Sequence, residues 1–134
     1  MKIHGGCHCG SIRYEAEVDP TAVGVCHCTD CQTFSGAAFR VVVPAKKENF
    51  RLLSGAPRTY VKTAESGNKR AQVFCAECGT HIYATNAADP QVFGIRAGTA
   101  QQRRELTPTR QVWCRSALPW VKALDEIPQL QTQA

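Results

Sequence analysis

Seven of the eight cysteines in this chain stand in three short clusters. GGCHCG carries Cys7 and Cys9, VCHCTDC carries Cys26, Cys28 and Cys31, and FCAECGT carries Cys75 and Cys78; Cys114 stands alone. C-x-C and C-x2-C spacings suit a shared metal better than mutual disulfides, because two close thiolates on one turn can face one cation. Each of the two cysteine pairs is flanked by glycine (Gly5, Gly6, Gly10, Gly79), which lets the backbone turn tightly and aim N–H groups at sulfur. Two such turns make a tetrahedral four-sulfur zinc site. A site of that kind is closed, hence structural.

The remaining cluster offers three thiols in six residues. Three protein ligands plus an open position is the plan of a catalytic zinc, where water or a substrate thiolate takes the fourth place. Spacing alone leaves rivals open: Cys26 and Cys28 could join Cys75 and Cys78, and Cys114 could close the second site or serve as a small core residue.

Proton-transfer candidates interleave the trio. His27 and Asp30 stand between its cysteines. The plainer readings are a histidine pointing away from the metal and an aspartate capping a helix. His8 reads as surface, and His81 as core or pocket rim. Arg40 and Arg96 fall on expected strands and read as solvent-facing; turned inward, they would suit the carboxylates of an anionic substrate.

The elements that must position these groups are mostly short strands. SIRYEAEV (11–18) alternates apolar and polar residues, and AVGV (22–25) runs into the trio. Thr29-Asp30 is expected to cap a short helix ending at Gly36. FRVVVPA (39–45) and FRLLSG (50–55) flank the turn KKEN. RTYVKT (58–63) and KRAQVFC (69–75) form a hairpin about AESGN, and HIYAT (81–85) and QVFGIRAG (91–98) follow. The expectation is a mainly β, antiparallel fold with one or two short helical segments, as a single domain over 1–134 in which 116–134 forms a C-terminal tail.

Composition excludes several classes. A chain of 134 residues, 43% hydrophobic and 20% charged, is that of a globular domain able to bury its own core. The start MKIHGGCHCG lacks the apolar run of a signal peptide, and no stretch is long enough to span a bilayer. A cytoplasmic location is therefore expected, where clustered cysteines bind metal rather than form bridges. Secretion would instead allow four disulfides. Seven thiolates and two zinc ions change the formal charge by −3, from +5 to +2. With scattered basic residues and few aromatics, nucleic acid is not an expected partner.

GGCHCGSIRYEAE, VCHCTDCQTFSGAAF, FCAECGTHIY, FGIRAGT and LPWVKALDEIPQ, in that order, resemble the glutathione-dependent formaldehyde-activating family, also called the centromere-protein-V/formaldehyde-activating domain. The resemblance implies a β-tent of antiparallel sheets pinned by zinc. It implies two zinc ions per chain: a structural one on Cys7, Cys9, Cys75 and Cys78, and a catalytic one on Cys26, Cys28 and Cys31. It also implies carbon–sulfur chemistry, the joining of formaldehyde to a thiol such as glutathione as the S-hydroxymethyl adduct, and the reverse. Two positions depart from the family pattern. His81 stands where many members have proline, and Ala100-Gln101-Gln102 stands where many continue with leucine and aspartate.

The expected function is thus a zinc-dependent carbon–sulfur lyase, with His27 or Asp30 moving the proton. The main rival is a non-catalytic zinc module that binds a protein partner, which would have no need of a second, open metal. A thiol reductase using Cys75 and Cys78 is a weaker rival, since those cysteines are better used on metal.

Overall fold

The computed structural model describes residues 1–133 and is mainly β. Two sheets form. The smaller joins β1 (Lys2–Gly6), β2 (Arg13–Glu17) and β5 (Phe50–Ser54) in the order β1-β2-β5. The larger has seven strands: β3 (Gly24–Cys26), β4 (Arg40–Lys46), β6 (Arg58–Thr63), β7 (Lys69–Phe74), β8 (His81–Asn86), β9 (Val92–Arg96) and β10 (Arg110–Val112). Their order is β10-β3-β4-β9-β8-β7-β6. All pairings are antiparallel except β10 beside β3.

The expected strands are present, and β6 and β7 pair as the hairpin about 64–68. β4 and β5, neighbours across a charged turn, belong to different sheets: β4 pairs with β3 and β9, β5 with β2. The chain therefore changes sheet at Lys47–Asn49, a single 3-10 turn. Two strands were not expected. β1 is short and glycine-rich, and β10 is three residues held by a polar device: the Thr109 hydroxyl donates to the Thr21 carbonyl at 2.7 Å while its N–H donates to Val23 at 2.9 Å.

The core lies between the sheets. Ile3, Tyr14 and Ala16 of the small sheet meet Val43, Ala45 and Ile95 of the large one, all buried. Phe50 stacks on Tyr14 at 5.4 Å and meets Tyr83 and Phe93 edge-on, both at 5.0 Å, so one aromatic cluster closes the seam. Tyr14 also bonds the Thr99 hydroxyl at 2.8 Å.

That contact explains Gly5. A Cβ there would lie 2.4 Å from the Thr99 carbonyl oxygen and 2.4 Å from the Tyr14 hydroxyl. Only glycine lets β1 approach this closely, and Gly5 bridges to Ala100 at the same point. After β10 the chain leaves the sheet as 3-10 turns, Cys114–Ser116 and then Pro119–Glu126, kinked at Ala123. Among the described residues, no helix is long and apolar enough to cross a membrane.

Gly5→Ala is expected to lower unfolding free energy by about 3 kcal/mol in urea denaturation, because the obstructing atoms include backbone that cannot rotate away.

Candidate metal and substrate centre

The first cysteine cluster is built by two similar turns. Cys7 to Gly10 follows β1, and Cys75 to Gly79 follows β7. In each, a glycine N–H donates back to the first cysteine's carbonyl, Gly10 to Cys7 at 3.2 Å and Gly79 to Cys75 at 2.9 Å. Both glycines hold positive φ, 87° and 78°, which a side chain would resist.

The turns bring the sulfurs of Cys7, Cys9, Cys75 and Cys78 within 4.8 Å of one another. Cys7 and Cys9 are 3.6 Å apart and Cys9 and Cys75 3.8 Å. Four sulfurs at about 2.3 Å from a tetrahedral zinc would be about 3.8 Å apart, so the donor set fits that ion.

Hydrogen-bond donors surround these sulfurs. The Ile12 N–H donates to Cys7 Sγ at 3.2 Å, and the Ser11 hydroxyl lies 3.3 to 3.6 Å from Cys7, Cys9 and Cys75. Burial opposes ionisation of Cys7, yet these donors bring its thiol down to about 7. The Thr80 hydroxyl, 3.2 Å away, does the same for Cys78, down to about 5.

The second cluster sits where β3 gives way to the helix α1 (Thr29–Ser35). Cys26 ends the strand and Cys31 lies buried in the first helical turn. The expected cap at Thr29-Asp30 is instead supplied by Cys28, whose sulfur accepts the Cys31 N–H at 3.3 Å. Gly36 stops the helix in the left-handed conformation, as its position implied.

Gln32 ties the segment down, donating to the His27 carbonyl at 2.8 Å and the Ser116 carbonyl at 3.0 Å. The three sulfurs lie within 4.8 Å of one another. A hydrogen bond from Cys26, with Arg40's charge and against burial, holds Cys31 down to about 5; the same bond and burial push Cys26 up. Three thiols sharing charge this way are a soft donor set suited to zinc.

The two clusters differ in what lies beside them. Cys26, Cys28 and Cys31 line a cavity of about 600 Å³; the four-cysteine cluster does not. Alternation in the large sheet creates this cavity. One face of β4 and β9 carries Val43, Ala45 and Ile95 into the core. The opposite face carries Arg40, Val42, Gly94 and Arg96 into the cavity, with Gln72 of β7 and Ala84 of β8 beside them. Small residues at 84 and 94 leave the room. Arg115, also on the lining, stacks on Trp113 at 4.8 Å and pairs with Glu65 at 3.2 Å.

The proton-transfer candidates separate clearly. His27 is only 2% exposed, donates through Nε2 to Gln111 Oε1 at 2.7 Å, and packs edge-on to Phe39. It does not line the cavity, because strand alternation turns position 27 away from positions 26 and 28. Asp30 does line it, with its carboxylate 2.6 Å from Lys62 Nζ. His81 lies between the rings of Phe34 and Phe74 and is likewise outside the cavity. Cys114 is exposed and apart from both clusters.

The arginines correct the sequence reading. Arg40 is 8% exposed and Arg96 is half-buried; neither faces bulk solvent. Both donate to Gln72 Oε1, Arg40 at 3.4 Å and Arg96 at 3.0 Å, and Arg40 also covers the Phe34 ring at 5.4 Å. Burial, with Arg40 adjacent, lowers the Arg96 pKa. Alternation does say that these residues share a face; it does not say that the face is covered.

A family described as glutathione-dependent formaldehyde-activating enzyme matches residues 2–116. The chain belongs to that family. Among solved structures it is similar to a crystal structure of a Rhodobacter sphaeroides protein, with a TM-score of 0.63 and 21% identity over 84% of this chain and 100% of that one. At that identity the likeness shows the fold.

Gln111→Leu removes the partner of a buried imidazole nitrogen. It is expected to cost about 1–3 kcal/mol of stability in chemical denaturation.

Proposed function

We propose that this chain is a zinc-dependent carbon–sulfur lyase that joins an aldehyde to a glutathione-type thiol and reverses the step. Cys7, Cys9, Cys75 and Cys78 would hold a structural zinc, and Cys26, Cys28 and Cys31 a catalytic one. The observation that carries the reading is the contrast between the clusters: four sulfurs closed on themselves, and three opening onto a cavity of about 600 Å³.

The ion, when bound to the trio, supplies a positive centre that keeps an incoming thiol deprotonated at neutral pH. The rest is the work of this chain. The cavity holds thiol and aldehyde together, which replaces a bimolecular encounter by a positioned one. The thiolate sulfur attacks the carbonyl carbon, a carbon–sulfur bond forms, and the carbonyl oxygen takes up a proton. Asp30 is the carboxyl group beside the trio that faces the cavity, and we assign it the relay that takes the proton released by the thiol and delivers it to that oxygen, with Lys62 fixing its position. His27 instead anchors the trio's backbone from behind: its N–H donates to the Val112 carbonyl at 3.1 Å and its ring to the Gln111 side chain. A protein-binding zinc module, the alternative, would leave this lined cavity without a use.

The test is Cys28→Ser, since serine keeps an acceptor at the helix cap. Protein purified under reducing conditions is expected to fall from about two zinc ions per chain to about one with its circular dichroism intact. Exchange between free and S-hydroxymethyl glutathione, followed by NMR, should slow at least about tenfold. Two zinc ions and unchanged exchange in the variant would refute the assignment of the trio.

A further inference from the structure

The cavity floor contains more positive charge than the thiolate trio explains. Arg40 and Arg96 meet at Gln72, and among the described residues neither makes an ion pair. Arg40 Nε and Nη1 and Arg96 Nε are buried without a hydrogen-bond partner. Buried guanidinium groups left unpaired are costly, and one neutral amide oxygen does not balance two cations. A dication on three thiolates leaves one negative charge, which a single guanidinium offsets. The second remains. Of the other cations of the lining, Lys62 is matched by Asp30 and Arg115 by Glu65, while Arg70 donates to the Asn86 side chain and Arg110 stands on β10 beside Gly24.

The position of this charge says which part of a substrate it meets. Arg40 stands directly opposite Cys26 in the β3–β4 register and lines the same cavity as the trio, so the cluster adjoins the place where the carbon–sulfur bond forms. Glutathione's own carboxylates are several bonds from its sulfur and would lie out toward the cavity mouth. A carboxylate able to reach Arg40 and Arg96 must sit on the carbon bonded to sulfur, that is, on the aldehyde side.

Resting on the lyase reading, we infer that Arg40, Gln72 and Arg96 form a carboxylate subsite for the carbonyl partner, and that this partner is a short 2-oxo acid rather than formaldehyde alone. The thiol adds across the carbonyl to give a 2-hydroxy-2-thioether carboxylate. The carbon–sulfur bond forms, the thiol proton ends on the former carbonyl oxygen, and nothing is oxidised or reduced. Two fork-shaped guanidinium groups on one wall can take both carboxylate oxygens. The flat amide of Gln72 holds the two forks in register.

Two stable thioethers test this on the zinc-loaded protein by isothermal titration calorimetry. S-carboxymethylglutathione carries the extra carboxylate on the carbon bonded to sulfur; S-methylglutathione lacks it, and both keep glutathione's own carboxylates. The wild type is expected to bind the carboxymethyl compound at least about tenfold more tightly, as one charge-assisted carboxylate contact would give. Arg96→Met should reduce that ratio to about one while leaving S-methylglutathione affinity within twofold, and Arg96→Lys should restore part of it.

Equal affinities in the wild type would overturn the carboxylate subsite yet leave the lyase reading standing. Loss of both ligands in Arg96→Met, in protein with wild-type circular dichroism, would assign Arg96 to glutathione's own carboxylates and overturn the inference. Binding of neither compound by the wild type would overturn both readings. The wild-type comparison decides the matter even where a variant does not fold.

Discussion

Four sulfurs within 4.8 Å are the constraint on which the rest of the molecule depends. They come from turns 66 or more residues apart in the chain, one after the first strand of the small sheet and one between two strands of the large sheet. Thiolates this close repel one another unless a cation lies between them, and the binding free energy of such a cation is then folding free energy. With the cation proposed here between them, the four sulfurs would set where the small sheet sits on the large one. That in turn would fix the aromatic seam at Phe50 and the close approach at Gly5. With this face of the large sheet committed to the core, its other face is free to line a cavity.

The cavity follows from a division of labour along single strands. β4 sends Val43 and Ala45 one way and Arg40 and Val42 the other; β9 does the same with Ile95 against Gly94 and Arg96. No loop is needed to build the floor, so it is as rigid as the sheet. The trio is different in kind. It is held at a strand-to-helix junction whose first cap is a cysteine sulfur and whose backbone is pinned by Gln32 and by β10. Rigid floor and pinned junction together give a site whose groups need little rearrangement to meet a substrate.

Much of this was legible in the sequence because it is local. The cysteine spacings, their glycines and the alternating strands act within a few residues, so the clusters, the β class and most strands could be read directly. Which clusters share a neighbourhood is a long-range fact, and spacing left it open; family resemblance supplied a choice. β1 and β10 escaped because glycine hides one and a threonine's hydrogen bonds, rather than an apolar pattern, hold the other. Arg40 and Arg96 escaped for a more general reason. Alternation tells which residues share a face, and only the folded arrangement of 110–116 and of residues 62–65, where β6 enters its hairpin turn, shows that this face is covered. The same parity argument, applied to Cys26 and Cys28, would have turned His27 away from the cavity.

The closed and open characters of the two clusters meet their most direct test in the NMR spectrum of cadmium-substituted protein. Two cadmium resonances are predicted, one indifferent to added glutathione and the other moving downfield as a fourth sulfur joins the trio. A single resonance, or two that both ignore glutathione, would contradict an open three-cysteine site beside a closed four-cysteine one.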